Sequence, residues 1–311
     1  MKNNKPKVIL VCGLGWSGSG LLIDMLMKQK SVATFPVEMR YIKDKGGLID
    51  LYQAMTPFKY CEVFDEFKRL VKVLARPNGI QFGMGYNLYN QGAFKRVFND
   101  FIDTLSSKET YRSDAFVFMY QSSFLKQIYW KVNRKVFNFN RPKRVLPPAR
   151  KELRQQIIEC QNSIHIELAQ NKRILILDQA IDPIQWSEFK WMFPNAKMIV
   201  VDRDPRDIYV DYSRSRDVLF NVKSFIENYK YMRSNIPLDS EDLIKVQFEE
   251  ILQDSPAVKR KLEQFIGEEL YLDITEYSGS LENIGIYKNL KDLQDDITII
   301  SEELPDALWE R

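Results

Sequence analysis

Residues 13–20 carry four glycines and two serines, in the order Gly-Leu-Gly-Trp-Ser-Gly-Ser-Gly. An apolar run at 8–11 precedes this segment, and apolar residues at helical spacing follow it from Leu21. A strand, a glycine-rich turn and a helix N-terminus form an anion site, because successive backbone N–H groups point into the turn and the helix dipole favours negative charge. This segment, here named the glycine loop, therefore predicts phosphate binding by Gly15, Trp16, Ser17, Gly18, Ser19 and Gly20.

Three kinds of phosphate ligand are compatible with the glycine loop. Its glycines fit G-x-G-x-x-G, the dinucleotide fingerprint, with the acidic Glu38 somewhat beyond the expected distance. They also fit G-x-x-x-x-G-K-[ST] of nucleotide-binding P-loops, but Ser19 stands where the lysine belongs. The third template is the 5′-phosphosulfate loop of sulfotransferases, usually a small-residue turn with Lys or Arg followed by Ser-Gly-Thr. The sequence of the glycine loop alone does not distinguish among these three ligands.

A second candidate anion site is Arg203, which follows an apolar run at 198–201 and opens the sequence Arg-Asp-Pro-Arg-Asp. An arginine at the carboxyl edge of a strand reaches a phosphate through two parallel hydrogen bonds. Pro205 suits the first turn of a helix, and Asp204 and Asp207 flank its start, where carboxylates cap the helix or complement its dipole. By itself this element is equally compatible with a capped helix carrying surface ion pairs.

The order of these elements resembles the PAPS-dependent sulfotransferases, where PAPS is 3′-phosphoadenosine 5′-phosphosulfate. The first Arg of that family's Arg-Asp-Pro-Arg-Asp element contacts the 3′-phosphate, a role that carries over to Arg203. Residues 246–251 resemble a family strand that ends in aromatic and acidic residues. Residues 280–288 resemble the late loop that closes over the nucleotide, which makes Gly285 and Lys288 expected contacts. The resemblance covers residues 8–40 and 172–304 and implies PAPS as cofactor, with 3′,5′-ADP as product.

Two positions depart from the family pattern. Trp16 stands where the family has a cation that contacts the 5′-phosphate, so Arg40 or Lys43 is expected to supply that charge. Asp211 stands where the family often has a serine that holds the 3′-phosphate. A carboxylate beside a phosphate costs about 1 kcal/mol or more. Either Asp211 turns away and Ser213 binds the phosphate, or the donor is not PAPS.

Transfer of a sulfuryl group is an in-line displacement that depends on positioning, charge stabilisation and a base for the acceptor proton. Glu38 follows the second apolar run, at the sheet edge where open α/β sheets bind ligands, and is the predicted general base. Its Glu-x-Arg arrangement with Arg40 resembles glycan-directed sulfotransferases, so both are predicted catalytic residues. The single histidine, His165, lies in the middle of a helical pattern and is expected to be structural.

The predicted elements that position these residues are five short apolar runs, each followed by a helical pattern. They lie at 8–11, 32–35, 174–177, 198–201 and 243–246. We expect one α/β domain spanning 1–311, with a P-loop-like, five-stranded parallel sheet flanked by helices. A large helical insertion at about 50–170 is expected between the second and third strands, with apolar stripes facing the core. The basic stretch at 130–154 is either a solvated loop or an anion-attracting wall.

Composition narrows the function class. The net charge of +3 gives no support to nucleic-acid binding, and a hydrophobic content of 45% suffices for a large core. Three scattered cysteines and one histidine favour a reducing compartment and no metal site. The N-terminal apolar run breaks into the glycine loop, and no run approaches about 18 apolar residues. A cytoplasmic protein without transmembrane segments is expected, with peripheral membrane association left open.

The sequence thus predicts transfer of a sulfuryl group from PAPS to a hydroxyl or amine of a carbohydrate-like acceptor. The acceptor class rests on the Glu-type base and on the aromatic, basic insertion. One alternative is a P-loop nucleotide-dependent phosphotransferase or NTPase, since Asp178 ends an apolar run in the manner of a Walker B aspartate that holds Mg²⁺. Another is a catalytically silent nucleotide-binding homologue.

Overall fold

The computed structural model describes residues 5–77, 84–106, 110–112, 124, 128, 132, 143–215, 221–253, 255–272 and 275–309. Within these ranges the strands are β1 (Lys7–Gly13), β2 (Val32–Thr34), β3 (Thr110–Arg112), β4 (Lys143–Val145), β5 (Ile174–Asp178), β6 (Lys197–Asp202) and β7 (Leu243–Gln247). Five of them form an all-parallel sheet in the order β2-β5-β1-β6-β7. The other two, β3 and β4, form an antiparallel pair.

Helices connect and cover these strands. The α-helices are α1 (Ser19–Met27), α2 (Arg40–Lys43), α3 (Leu48–Gln53), α4 (Pro57–Ala75), α5 (Tyr86–Tyr89), α6 (Ala93–Ser106), α7 (Arg150–Ala169), α8 (Trp186–Phe189), α9 (Pro205–Arg214), α10 (Val222–Ser234), α11 (Phe248–Gln253), α12 (Ser255–Ile266) and α13 (Gln294–Glu303). Shorter 3₁₀ segments are Pro183–Gln185, Lys190–Met192, Thr275–Asn283, Ile286–Asn289, Lys291–Leu293 and Pro305–Ala307. Among the described helices, none is long and apolar enough to cross a membrane.

The central strand β1 divides the core between the two faces of the sheet. Side chains alternate along a strand, so Val8, Leu10 and Cys12 pack on one face, and Ile9 and Val11 pack on the other. The first face is covered by α4, α6 and α7, and the second by α1, α11 and α12. Because strands of a parallel sheet are buried on both faces, they appear in the sequence as continuous apolar runs.

The glycine loop starts at the switch point of this sheet. From β1 the chain crosses to β2 on one side, and it later returns to β6 on the other side. The connection that leaves β1 and the one that leaves its neighbour β5 therefore run in opposite directions, which opens a crevice between the carboxyl ends of these two strands. Open α/β sheets bind their ligands at such a point.

The fold-class prediction is confirmed, including the parallel five-stranded sheet and the helical insertion between its second and third strands. Within the insertion, α4 and α6 carry apolar stripes whose large side chains are buried in the core. His165 is buried in α7, its ring stacks on Phe193, and burial lowers its pKa to about 3. The β3–β4 pair was not predicted. Residues 130–131 and 133–142 of the basic stretch lie outside the described residues.

Gly18 joins the glycine loop to α1 in a conformation that requires glycine. Its φ is 81°, in the left-handed region, and a Cβ atom there would overlap the ring of Phe248 in α11. Close packing of the glycine loop against α11 therefore fixes the direction of α1 relative to β1.

We predict that Gly18→Ala destabilises the protein by about 2 kcal/mol or more, because it adds backbone strain to an overpacked contact. Gly20→Ala is the matched control, since a Cβ there meets nothing within 4 Å and alanine favours the helix. Urea unfolding followed by circular dichroism measures both free energies. Equal free energies of unfolding for the two variants would contradict the packing role of Gly18.

Candidate active site

The glycine loop forms a cradle with a free hydroxyl inside it. Gly15 and Trp16 adopt left-handed φ angles of 78° and 44°. Ser17 is buried, and its Oγ has no hydrogen-bond partner among the described residues. A Cβ at Gly13 would overlap that Oγ, so glycine lets the hydroxyl lie against the backbone. A buried hydroxyl without a partner is costly, and a phosphate or sulfate oxygen would satisfy it.

A cavity of about 610 Å³ opens beside this cradle, within the usual size range of small-molecule sites. Its walls come from the loop itself, the segment after β2, the end of β5, α9 and α10. The lining residues are Gly13, Leu14, Gly15, Trp16, Ser17, Gly18, Ser19, Gly20, Glu38, Lys43, Asp178, Gln179, Asp182, Tyr212, Asn228 and Met232. The glycine loop, Glu38 and Lys43 are thereby brought together, as their places at the carboxyl edge of the sheet predict.

The cation that lines this cavity is Lys43. Its side chain is 20% exposed, and its Nζ lies 2.8 Å from an Asp182 carboxylate oxygen. Arg40 does not line the cavity: its guanidinium binds Asp44 at 2.7 Å and Glu38 at 3.2 Å. Of the two expected substitutes for the missing loop cation, Lys43 is therefore the one directed to the cavity.

Besides Asp182, two further carboxylates share the cavity with Lys43. Glu38 is half-exposed, and its backbone carbonyl accepts a hydrogen bond from the Tyr86 hydroxyl. Asp178 ends β5, and its carbonyl accepts the Met39 N–H at 3.0 Å, which ties the segment after β2 to the sheet. Burial, and after it the negative charge of Glu38, raise the pKa of Asp178 to about 6, while Lys43 opposes the shift.

Arg203 is buried beside the loop and binds three parts of the molecule. Its Nη1 donates to the Trp16 carbonyl at 3.0 Å and to the Asp211 carboxylate at 2.7 Å. Its Nη2 donates to the Asn283 carbonyl at 2.7 Å. Asp211 therefore does not turn away from Arg203. Ser213 is exposed, and its hydroxyl donates to the Val210 carbonyl at 2.7 Å.

The start of α9 is held by buried carboxylates. Asp204 caps the helix by accepting the Arg206 N–H at 2.8 Å. Glu249 accepts the Asp204 N–H at 2.9 Å, and burial raises the pKa of Glu249 to about 7. These contacts fix the strand-to-helix turn from which Arg203 projects.

The late segment is anchored to α9 through Asp207. Its carboxylate accepts the Gly285 N–H at 2.7 Å and the Tyr287 N–H at 3.2 Å. Lys288 is exposed, and neither it nor Gly285 lines the cavity. Residues 280–288 thus lie next to α9, on the Arg203 side of the loop.

The sequence did not single out Asp182, Asn228 or Met232 as lining residues. Asp182 lies a few residues after the end of β5 at Asp178. Its closeness to the carboxyl end of a predicted strand could have marked it as a lining residue. Asn228 and Met232 lie one turn apart on α10, whose amphipathic pattern does not distinguish a cavity wall from a solvated face.

Comparison with known proteins gives weak structural likenesses. No protein-family model matches the chain, and no curated protein matches it in sequence. It is similar in structure to a sulfotransferase domain from the Synechococcus PCC 7002 olefin synthase, at 13% identity and a TM-score of 0.47, over 100% of this chain and 98% of that one. A sulfotransferase domain from the curacin biosynthetic pathway matches at 13% identity and a TM-score of 0.39, over 86% and 75%.

Sulfotransferase STF9 from Mycobacterium avium matches at 12% identity and a TM-score of 0.38, over 98% of this chain and 77% of that one. All three carry the name of the family that the motif order resembles. Their TM-scores lie below 0.5, so none of the three assigns a function to this chain.

The buried Glu249 predicts a stability that depends on pH. Its folded-state pKa of about 7 exceeds the ordinary value of 4.5, so the folded protein binds this proton more tightly than the unfolded chain. The contribution of Glu249 to stability is therefore largest below pH 4.5 and declines as the pH rises towards 7.

We predict that Glu249→Gln removes this decline, which urea unfolding of both proteins at pH 5, 6, 7 and 8 will measure. Glu250→Gln, one residue further along α11, is the matched control and should keep the wild-type slope. Parallel stability curves for wild type and Glu249→Gln would contradict the assignment.

Proposed function

We propose that this protein transfers a sulfuryl group from PAPS to a hydroxyl of a carbohydrate-like acceptor. The observation that carries the proposal is the cradle with its unpartnered Ser17 hydroxyl, open to a cavity that also holds Lys43 and Glu38. An anion site, a cation and a carboxylate around one space are the groups that an in-line transfer requires.

In this proposal the 5′-phosphosulfate lies in the glycine loop. The Ser17 and Ser19 hydroxyls and the backbone N–H groups at the start of α1 hold its oxygens. Negative charge develops on the leaving phosphate during transfer, and Lys43 stabilises it in place of the cation that Trp16 replaces. The ion pair with Asp182 keeps Lys43 in the cavity wall before the donor binds.

The 3′-phosphate is proposed to bind Arg203 by displacing Asp211. Nη1 and Nη2 also donate to the backbone carbonyls of Trp16 and Asn283, so the hydrogen bond that Nη1 now makes to Asp211 is the one that a phosphate can take over. Exchange of one anion for another keeps Arg203 paired throughout. It also makes Asp211 a competitor, which weakens binding of a 3′-phosphorylated nucleotide relative to a site with serine.

Glu38 is the proposed general base for the acceptor proton, with Arg40 fixing its orientation across 3.2 Å. A carboxylate base that remains half-exposed is accessible to an acceptor that enters from solvent. The carbohydrate-like class of the acceptor is supported by this Glu-x-Arg arrangement.

Calorimetry with 3′,5′-ADP tests the donor site. We predict micromolar binding to the wild type, loss of binding in Arg203→Ala, and roughly tenfold tighter binding in Asp211→Ser, because the competing carboxylate is gone. Glu282→Gln removes an exposed charge next to Asn283 and should change nothing. Binding of Mg-ATP in place of 3′,5′-ADP would refute the proposal and favour the phosphotransferase.

Transfer from PAPS to methyl β-D-glucopyranoside, whose hydroxyls need a base, in a single turnover tests the catalytic groups. We predict that Glu38→Gln lowers the rate by about 10²–10⁴, as expected for a lost general base, while the 3′,5′-ADP affinity stays within about twofold. Lys43→Met should lower the same rate by a comparable factor, since charge on the leaving group is then uncompensated. A large affinity loss in Glu38→Gln would contradict the base role, and nucleotide binding without any transfer would favour the silent homologue.

A further inference from the structure

Trp16 lies at the rim of the cavity and combines a half-exposed side chain with a left-handed backbone conformation. The side chain is 43% exposed, although tryptophan is highly buried on average. Its φ of 44° is in the left-handed region, which is unfavourable for a residue with a bulky side chain. A strained backbone and a half-exposed aromatic ring in a ligand cavity point to a binding role.

Specific contacts hold Trp16 in this conformation. Its carbonyl accepts the Arg203 Nη1–H at 3.0 Å. Its indole packs on the Tyr212 ring with 4.2 Å between centroids and an angle of 52°. Tyr212 is in turn packed edge-on against Phe225 of α10, at 5.7 Å. The contact with Tyr212 therefore holds the indole in place, while the rest of the indole surface remains exposed.

The open surface lies on the side of the cavity where the acceptor must react. Trp16, Glu38 and Lys43 line the same space. Arg203 does not line it, and its contact with Trp16 is to the backbone carbonyl, so the proposed 3′-phosphate contact does not use the indole. An acceptor bound at Glu38 therefore shares the cavity with the indole.

We propose that the Trp16 indole is a specificity-determining platform on which the acceptor packs the apolar face of a ring that carries the reacting hydroxyl. This inference rests on the proposed function and names the substrate class of the same site. An indole face binds the C–H face of a sugar or the plane of an aromatic ring, and both ligands share this chemistry. Met232 adds apolar surface to the wall, and Asn228 offers hydrogen bonds to further hydroxyls.

Saturation-transfer NMR with three probes tests the platform, on the free protein and on its 3′,5′-ADP complex. Methyl β-D-glucopyranoside presents a sugar face, 4-nitrophenol an aromatic face, and 1-propanol a hydroxyl without a ring. We expect at least one ring probe to bind, Trp16→Ala to weaken it about tenfold, and Trp16→Phe to weaken it less than about threefold. The ring probe that binds identifies the source of the ring, and 1-propanol should respond to neither variant.

Turnover gives a second readout. In Trp16→Ala the KM for the ring acceptor should rise about tenfold, while kcat and the 3′,5′-ADP affinity stay within about threefold. Tyr231→Ala removes an exposed aromatic side chain from α10 and is the matched control. The platform is refuted if no ring probe binds, if Trp16→Ala binds it as well as wild type, or if that variant weakens 3′,5′-ADP instead. Failure of the wild type to bind 3′,5′-ADP while ring binding still depends on Trp16 would refute the sulfotransferase proposal alone.

Discussion

The buried guanidinium of Arg203 is the interaction on which the site depends. It joins the glycine loop, α9 and the 3₁₀ segment Thr275–Asn283, through Trp16, Asp211 and Asn283. A buried charge needs partners, so these three acceptors and the arginine hold one another in place, although the Nε–H of Arg203 has no hydrogen-bond partner among the described residues. Because Trp16 is one of them, the strained backbone of the loop is maintained by the same charge that is proposed to recognise the nucleotide.

The cation that lines the cavity and the buried arginine beside the loop are both paired with carboxylates of the protein. Arg203 binds Asp211, and Lys43 binds Asp182. An anionic ligand therefore has to displace a carboxylate from its cation. Its affinity reflects the difference in free energy between the ligand–cation pair and the carboxylate–cation pair. The arrangement compensates both cations within the protein, and selectivity then depends on the geometry of the cradle more than on net attraction.

Much of the fold follows from local sequence. The run of apolar residues at 8–11 is buried on both faces of a parallel sheet, and the four glycines after it leave few alternatives to a tight turn. The partners of Arg203 did not follow in the same way. Asp211 was expected to turn away or to exclude PAPS because spacing gives no orientation, whereas the side chain lies 2.7 Å from Arg203. The choice between Arg40 and Lys43 likewise depends on where Asp44 and Asp182 lie in space.

The position of the cation and the identity of residue 16 are physically linked. A lysine or arginine at position 16 would serve the leaving phosphate from within the loop, but here a positive charge reaches the same cavity from α2 through Lys43. Residue 16 then does not need to be charged. An indole at this position packs on Tyr212, whereas a lysine there would have to desolvate its ammonium group. A cation on α2 thus permits an aromatic surface at residue 16, on the rim of the cavity. In the proposed reaction, the position of this cation therefore determines both how the leaving phosphate is stabilised and which class of acceptor binds.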